Sequence, residues 1–331
     1  MRLGRLLTVT IAGVLLLAGS AGAAEWRVPG DFPTIQAAID SGSVTNGDTI
    51  VVGAGSHAGA TVRKAVAIRG MGRTRIVDGP VVNAFGKAGF FFPGGGEGSG
   101  ATITGFSFAQ IPFPVFSRGA NDVTVAQNTL SLFLQGITNW ASGSYGRNWQ
   151  ITDNTLLSPT TSCGGGIGIL VGDFQGATVS GNLIADNRIR GRLRVPADDC
   201  GGYNAPGILL FADFRWGATG AKIQWNRVTK NRVLLQSGTP VLGGEPWLVT
   251  VSGIELSDTR DSWANQPPAI QLNTITYNDL RGMAVPFSFT PEELPTANTV
   301  ENNYTSPGVS FPDRPQMTSA RLPGAGALPV R

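Results

Sequence analysis

The sequence predicts an all-β fold, a single-stranded parallel β-helix (a solenoid) with a capping α-helix at its N-terminal end. Three observations predict it. Two short sequence units recur and alternate along the chain, and the one strong helical signal lies near the start. Charged side chains make up only 14% of the 331 residues, whereas Gly alone numbers 46. Sparse charge with many turn-forming residues suits strands and tight turns more than helices. Each coil of such a fold points alternate aliphatic side chains inward, so neighbouring coils bury one continuous core.

The first 24 residues read as a secretory leader. Arg2 and Arg5 precede an apolar run from Leu6 to Ala18, followed by Gly19-Ser20-Ala21-Gly22-Ala23-Ala24. A charged start, an apolar middle and small residues before a cleavage point form a signal peptide, cut near Ala23 or Ala24. The apolar run is short of the ~20 residues a membrane span needs, so no transmembrane segment is expected after cleavage. The mature chain is expected to be a secreted or periplasmic monomer. Formal net charge is +3, and losing Arg2 and Arg5 leaves about +1. No basic stripe stands out, so nucleic acid is not an expected partner.

The helical signal is Asp31–Asp40. Asp31 is placed to cap it, Pro33 suits the first turn, and Ile35, Ala38 and Ile39 share one face. Gly42 and Gly47 end it, and Thr49-Ile50-Val51-Val52 then reads as a buried strand. His57 is expected on a surface loop. The segments Pro33–Asp40, Gly47-Asp48-Thr49-Ile50-Val51-Val52 and Val66-Ala67-Ile68-Arg69-Gly70 resemble the opening of pectate-lyase-like right-handed parallel β-helix proteins. That resemblance implies a right-handed coil and a helix covering the open end of the first coil. The superfamily includes pectinesterases, polysaccharide lyases, polygalacturonases and sugar-binding periplasmic proteins. It therefore implies a polysaccharide or cell-surface glycan as partner.

The first repeated unit is an aliphatic residue, two others, Asn, one other, and an aliphatic. It occurs at Val125-Asn128-Leu130, Ile151-Asn154-Leu156, Val179-Asn182-Ile184, Ile223-Asn226-Val228 and Ile270-Asn273-Ile275, with a weaker copy at Val300-Asn303. The second unit is Gly136-Ile137, Gly168-Ile169, Gly207-Ile208, Gly253-Ile254 and Gly282-Met283. One pair of units reads as one coil. Asn is expected to take the left-handed conformation of a sharp turn and to stack as an amide ladder. A sandwich or propeller would want hairpins and half-exposed alternating strands, which these spacings do not supply. The β-helix domain is read as residues 25–304, with a Pro-rich tail over 305–331.

The Asn spacing is near-constant from Asn128 to Asn182 and then lengthens, which places insertions at 190–206, 238–248 and 260–268. Long loops in a compact domain are often functional. These carry Tyr203, Trp247 and Trp263, and Trp216 lies nearby. Such aromatics suit sugar faces or pin loops to the scaffold. Cys163 and Cys200 take similar places on successive coils, which suggests a disulfide in an exported chain. Two Cys and one His cannot make a Cys/His zinc site.

Aligning the coils on Gly-Ile brings up a column of acids, Asp173, Asp213 and Asp258, with Glu255 on the last strand. Carboxylates stacked roughly 5 Å apart would raise one another's pKa or hold a cation, and hard oxygen donors suit Ca²⁺. Three turn-capping Asp residues would leave the same pattern. Arg215 and Arg260 follow two of these acids and could bind an acidic sugar or take a proton. In the resembled superfamily, lyases combine acid-bound calcium with a basic residue, and hydrolases use grouped aspartates. The chain lacks the Trp-Ile-Asp-His and Arg-x-Pro-x-x-Arg segments of pectate lyases and the Gly-His-Gly of polygalacturonases. Two functions follow as expectations. One is lyase-type processing of an acidic glycan, with Asp173, Asp213 and Asp258 as metal or acid groups and Arg215 or Arg260 as partners. Glu255, Tyr203, Trp216, Trp247 and Trp263 would then contact the sugar. The other is a non-catalytic glycan-binding or envelope scaffold.

Overall fold

The computed structural model describes residues 22–83, 86–162, 165–196, 199, 203–215, 219–236, 241–242, 245–246, 249–260 and 267–307. Cys163, Cys200, Trp216, Trp247 and Trp263, expected to form a disulfide or to contact sugar, lie outside these residues, as do most of the expected leader and residues 308–331 of the expected tail.

Three long parallel sheets run through the described chain, and successive coils add one strand to each. The ten-stranded sheet runs from Glu25–Val28 to Thr299–Glu301, the seven-stranded sheet from Gly55–Ala58 to Arg232–Gln236, and the nine-stranded sheet from Ala60–Thr61 to Val285–Thr290. A three-stranded sheet of Thr178–Ser180, Lys222–Gln224 and Ile270–Gln271 widens the later coils. This is the strand order of a parallel β-helix. Among the described residues the pairs Val81–Asn83 with Gly86–Phe92 and Val241–Leu242 with Glu245–Pro246 run antiparallel, as does the single bridge Ser142–Tyr145.

The period-2 alternation explains the core. Ile68, Ile103, Val125, Ile151, Ile184, Val228 and Ile275 stand opposite one another on neighbouring strands of the ten-stranded sheet. Val115, Ile137, Ile169, Ile208, Ile254 and Phe287 do the same on the nine-stranded sheet. All are buried and belong to one continuous cluster. Each such side chain contributes roughly 1.5–3 kcal/mol on leaving water, so the column is the main source of stability. The short helix α1, Ile35–Asp40, adds Ile35, Ala38 and Ile39 to the same cluster. It begins later than expected. Thr34, not Asp31, is the N-cap and accepts from the Ala37 N–H at 3.0 Å, whereas Asp31 accepts from the Arg27 N–H. His57 sits on the strand Gly55–Ala58 rather than in a loop, with Nε2 bonded to the Gly53 carbonyl.

The Asn repeat resolves into two ladders. Asn128, Asn154, Asn187, Asn231, Asn278 and Asn303 line the corner between the ten- and seven-stranded sheets. In each pair, the later side-chain Oδ1 accepts from both the backbone N–H and Nδ2 of the earlier Asn. Asn182, Asn226, Asn273 and Asn298 form the second ladder, where the three-stranded sheet meets the ten-stranded one. The expectation of one ladder merged the two, because both corners use the same chemistry. Sequence separations along the first ladder are 26, 33, 44, 47 and 25 residues, so Asn154 to Asn182 is not one coil. The left-handed residue is also not the Asn. It is the residue before it: Gln127, Asp153, Asp186, Lys230, Tyr277 and Asn302 have φ between 55 and 58°. That bend turns the next side chain inward, where an amide with both donors and an acceptor can bond to two coils.

The Gly-Ile unit has a steric cause. A Cβ on Gly168 would stand 2.4 Å from the Gly207 carbonyl oxygen and 3.2 Å from Ile189, so the strand can lie this close only as glycine. Gly282-Met283 is not a further copy. Pairing of Ile254 with Phe287 puts Pro286-Phe287 in that place, and Gly282 sits in a turn at φ 90°.

A basic stripe, absent from the sequence reading, is present. Alternation along Arg188–Arg192 buries Ile189 and exposes Arg188, Arg190 and Arg192 together. Spread over alternate residues, these charges do not form a run in the sequence.

Candidate functional site

The outer face of the nine-stranded sheet changes character along its length. Because Ile208, Leu210, Ile254 and Leu256 point inward, Leu209 and Glu255 point outward. The outward column runs Thr138, Leu170, Leu209, Glu255, Ser288. In the earlier coils this face is apolar. Phe113, Phe116, Trp140, Leu170 and Leu209 form a second buried cluster there, with Phe174 edge-on to Trp140 at 5.1 Å between ring centres. From the strand Thr250–Asp258 onward it becomes polar, with Ser252, Glu255, Ser257 and Ser288 all buried.

Glu255 is the chemical centre of the polar part. Ser252 Oγ donates to its Oε2 at 3.2 Å, and the Asn204 side chain also hydrogen-bonds to the carboxyl. Burial pushes the Glu255 carboxyl up to about 7, against those two bonds. A carboxyl titrating there can hold or release a proton near neutral pH.

The aspartates sit at the ends of the same strands, but not as one column. Asp173 and Asp258 each lie opposite Ala212, on either side of it, and Asp213 falls one residue later. Two strand spacings, about 9.6 Å, therefore separate the Asp173 and Asp258 backbones. Each carboxylate is used locally. Asp173 accepts from the N–H groups of Gln175, Gly176 and Ala177 at 2.8–3.1 Å. Burial pushes its pKa up against those donors. Asp213 takes a two-pronged contact from Arg215, Nε to Oδ1 at 2.8 Å and Nη2 to Oδ2 at 2.9 Å, and Thr259 Oγ1 donates to Oδ1 at 3.3 Å. That pairing raises the Arg215 pKa. Asp258 has the same arrangement with Arg260, at 3.1 and 2.9 Å, and also accepts from the Ala269 N–H. Burial pushes Asp258 up, with Arg260 opposing.

This geometry corrects the expected stack of three carboxylates roughly 5 Å apart. Asp173 works as a turn cap, and Asp213 and Asp258 as anchors for the arginines two residues on. Among the described residues no three Asp, Glu, His or Cys side chains gather in a way that could hold a metal ion. With their oxygens committed to turns and arginines, the three aspartates do not fit a Ca²⁺ cage. Arg215 and Arg260 are further fixed over the Phe211 and Phe214 rings, at 5.6 and 5.3 Å. Tyr203 packs half-buried on the core, with its hydroxyl donating to the Asp199 carboxylate at 2.7–2.8 Å. Ser252 and Asn204, which hold Glu255, escaped the sequence reading. The usable signal was an acid between two inward aliphatics, Ile254-Glu255-Leu256, at the position occupied by Leu209 one coil earlier.

No protein-family model matches the chain, and no curated protein does. Among solved structures, the chain is similar to the A-module of Azotobacter vinelandii mannuronan C-5 epimerase AlgE6, at 14% identity and a TM-score of 0.27 over 82% of this chain and 94% of that one. It is similar also to the AlgE4 A-module from the same organism, at 15% identity and a TM-score of 0.26 over 82% and 92% of the two chains.

Proposed function

We propose that this is an exported protein that processes a polysaccharide by acid–base chemistry on the outer face of the nine-stranded sheet, with Glu255 as the proton-exchanging group. The observation that carries the reading is the Glu255 carboxyl itself, facing outward, held by Ser252 and Asn204, and titrating near 7. A general acid or base works best with a pKa near the working pH. The Arg215–Asp213 pair ends one of the same strands with its guanidinium partly exposed, where it can meet an acidic sugar, whereas Arg260 is turned in against Asp258 and Phe214. The reading also takes up the resemblance of the N-terminal segments to pectate-lyase-like right-handed β-helix proteins, the cleavable leader over residues 1–24, a periplasmic or extracellular site, and a covering role for α1. It routes no step through a metal.

A panel of uronate-containing and neutral polysaccharides, assayed for new reducing ends and for unsaturated products with and without calcium, tests it. Activity on one of them should fall about 100-fold or more in Glu255→Gln, because proton transfer contributes about that much. Full activity in Glu255→Gln would end the assignment. A second reading, a non-catalytic glycan-binding scaffold, draws on the way each strand-end aspartate serves its own turn or arginine. It predicts binding without turnover for every member of the panel.

A further inference from the structure

We propose that the outer face of the seven-stranded sheet is a second binding surface, for a linear glycan bearing carboxylate or sulfate groups, built on Arg188, Arg190, Arg192 and Arg194. The choice of a glycan rests on the exported, polysaccharide-directed reading above; the surface itself is on a different sheet from Glu255.

The four arginines alternate with inward residues. Ile189 and Leu193 are buried in the core, and Gly191 pairs with the buried Leu235. At ~3.3 Å per residue Arg188 and Arg190 stand about 6.6 Å apart, and Arg192 and Arg194 follow beyond Gly191, where φ of 114° departs from extended backbone. All four are exposed, and none of their guanidinium groups makes an ion pair or a hydrogen bond among the described residues. Other arginines are paired, although Arg73, Arg75 and Arg227 also stand exposed and singly without an ion pair among the described residues. Arg215, Arg260 and Arg281 each receive a two-pronged aspartate from two residues earlier, and Arg63 pairs with Glu97. On the next coil Arg232 stands directly opposite Arg188, and among the described residues its only acid is Asp279 at 3.6 Å, which Arg281 shares. Exposed Lys230 precedes it at the corner, where Asp186 occupies the same place one coil earlier. Like charges side by side on paired strands cost stability, so the unliganded row is a site of repulsion that an anion relieves.

The chemistry selects the partner. A guanidinium fork matches a carboxylate or sulfate with two parallel bonds, and a row of such forks suits a polymer with repeated anionic groups. Nucleic acid fits less well. The three neighbouring strands, Thr155–Leu157, Arg188–Arg192 and Arg232–Gln236, carry no aromatic side chain on which bases could stack.

Binding of the full chain to polygalacturonate and dextran sulfate, with neutral dextran and a single-stranded oligonucleotide as comparators, tests this across a series of sodium chloride concentrations. One or both anionic glycans should bind, neutral dextran should not, and affinity should fall steadily with salt. The double variant Arg190→Ser/Arg192→Ser should bind roughly tenfold more weakly and show a shallower salt dependence. Arg192→Ser alone should show a smaller loss, which serves if the double variant does not fold. The comparison is between wild type and the arginine variants, in which Glu255 is untouched, so failure of the acid–base reading leaves this result distinct. The proposal is overturned if neither anionic glycan binds at low salt, if the arginine variants bind like wild type, or if the oligonucleotide binds more tightly than both glycans.

Discussion

Glu255 shows how much one outward position can carry. The same register position holds Leu170 and Leu209 in the two preceding coils, where it belongs to a buried apolar cluster. A carboxyl there is raised from 4.5 to about 7, so the folded state holds its proton over a range where the unfolded chain has lost it. Stability therefore falls as pH rises from about 4.5 to 7 and stays lower above that. The full penalty is about 3 kcal/mol. Glu255→Gln should accordingly be more stable than wild type at pH 8, and the two should converge at pH 4. Denaturant midpoints measured at both values check it, and a constant difference across pH would contradict the assigned titration. Glu255 was legible as an acid on the last strand of the Gly-Ile series. Its partners were not, because Asn204 reaches it only through the pairing of two coils 46 residues apart in register, Ile208 with Ile254, and Ser252, on the same strand, is not marked by any motif.

At the scale of the element, the corners carry the specificity that the aliphatic columns lack. Any β-branched residue fills an inward position, but a corner needs a left-handed residue followed by an amide that both gives and takes hydrogen bonds. Asn231 accepts from Asn187 and gives to Asn278, the Ile184 carbonyl and the Thr229 carbonyl. Asn231→Asp removes both donors and buries a charge beside two carbonyls, with an expected loss of 3 kcal/mol or more, about the cost of an unpaired buried group. Asn303→Asp, half-buried at the end of the same ladder, should cost about 1 kcal/mol. Equal losses in thermal unfolding of the two variants would argue against a mid-ladder penalty. The sequence pattern revealed the amide repeat, yet the pairing of Asn182 with Asn187, Asn226 with Asn231 and Asn273 with Asn278, five residues apart, was the signal for two corners. The aspartate column failed for a related reason: a shift of one residue along a strand reverses the side chain, and alignment on Gly-Ile does not resolve one residue at the far strand end.

For the whole molecule, stacked coils imply that each end depends on one neighbour only. At the N-terminal end Asp48 is the tie. It accepts from the Ala24 N–H at 2.8 Å, the Trp26 indole at 3.1 Å and the Thr45 N–H at 2.8 Å, which joins the strand Glu25–Val28 to the rest of its sheet. Those donors hold the Asp48 carboxyl down at about 2, from 3.8. The stabilisation is complete above about 3.8 and is lost as pH falls towards 2. Hydrogen exchange should therefore show Glu25–Val28 losing protection in that window while the central coils keep theirs. Asp48→Asn should show the same local loss already at neutral pH. Protection lost everywhere at once would mean that the coils unfold as a single unit. The fold class was legible because periodic aliphatics, glycines and asparagines impose it coil by coil. The arginine row on the seven-stranded sheet was not, because charge placed on alternate residues becomes a surface only when the strand is flat and its neighbours are known.

The ladder separations of 26, 33, 44, 47 and 25 residues have an evolutionary consequence. Length and register are uncoupled in this chain: nearly a second coil's worth of residues enters between two rungs, and the rungs still meet. New peptide enters between the sheets, as with Thr178–Ser180 ahead of Asn182, while each ladder Asn is still followed directly by the next strand or strand bridge. A lineage built this way would diverge fastest in its turns, and its members would be recognised by the beat of their rungs long after their surfaces ceased to match.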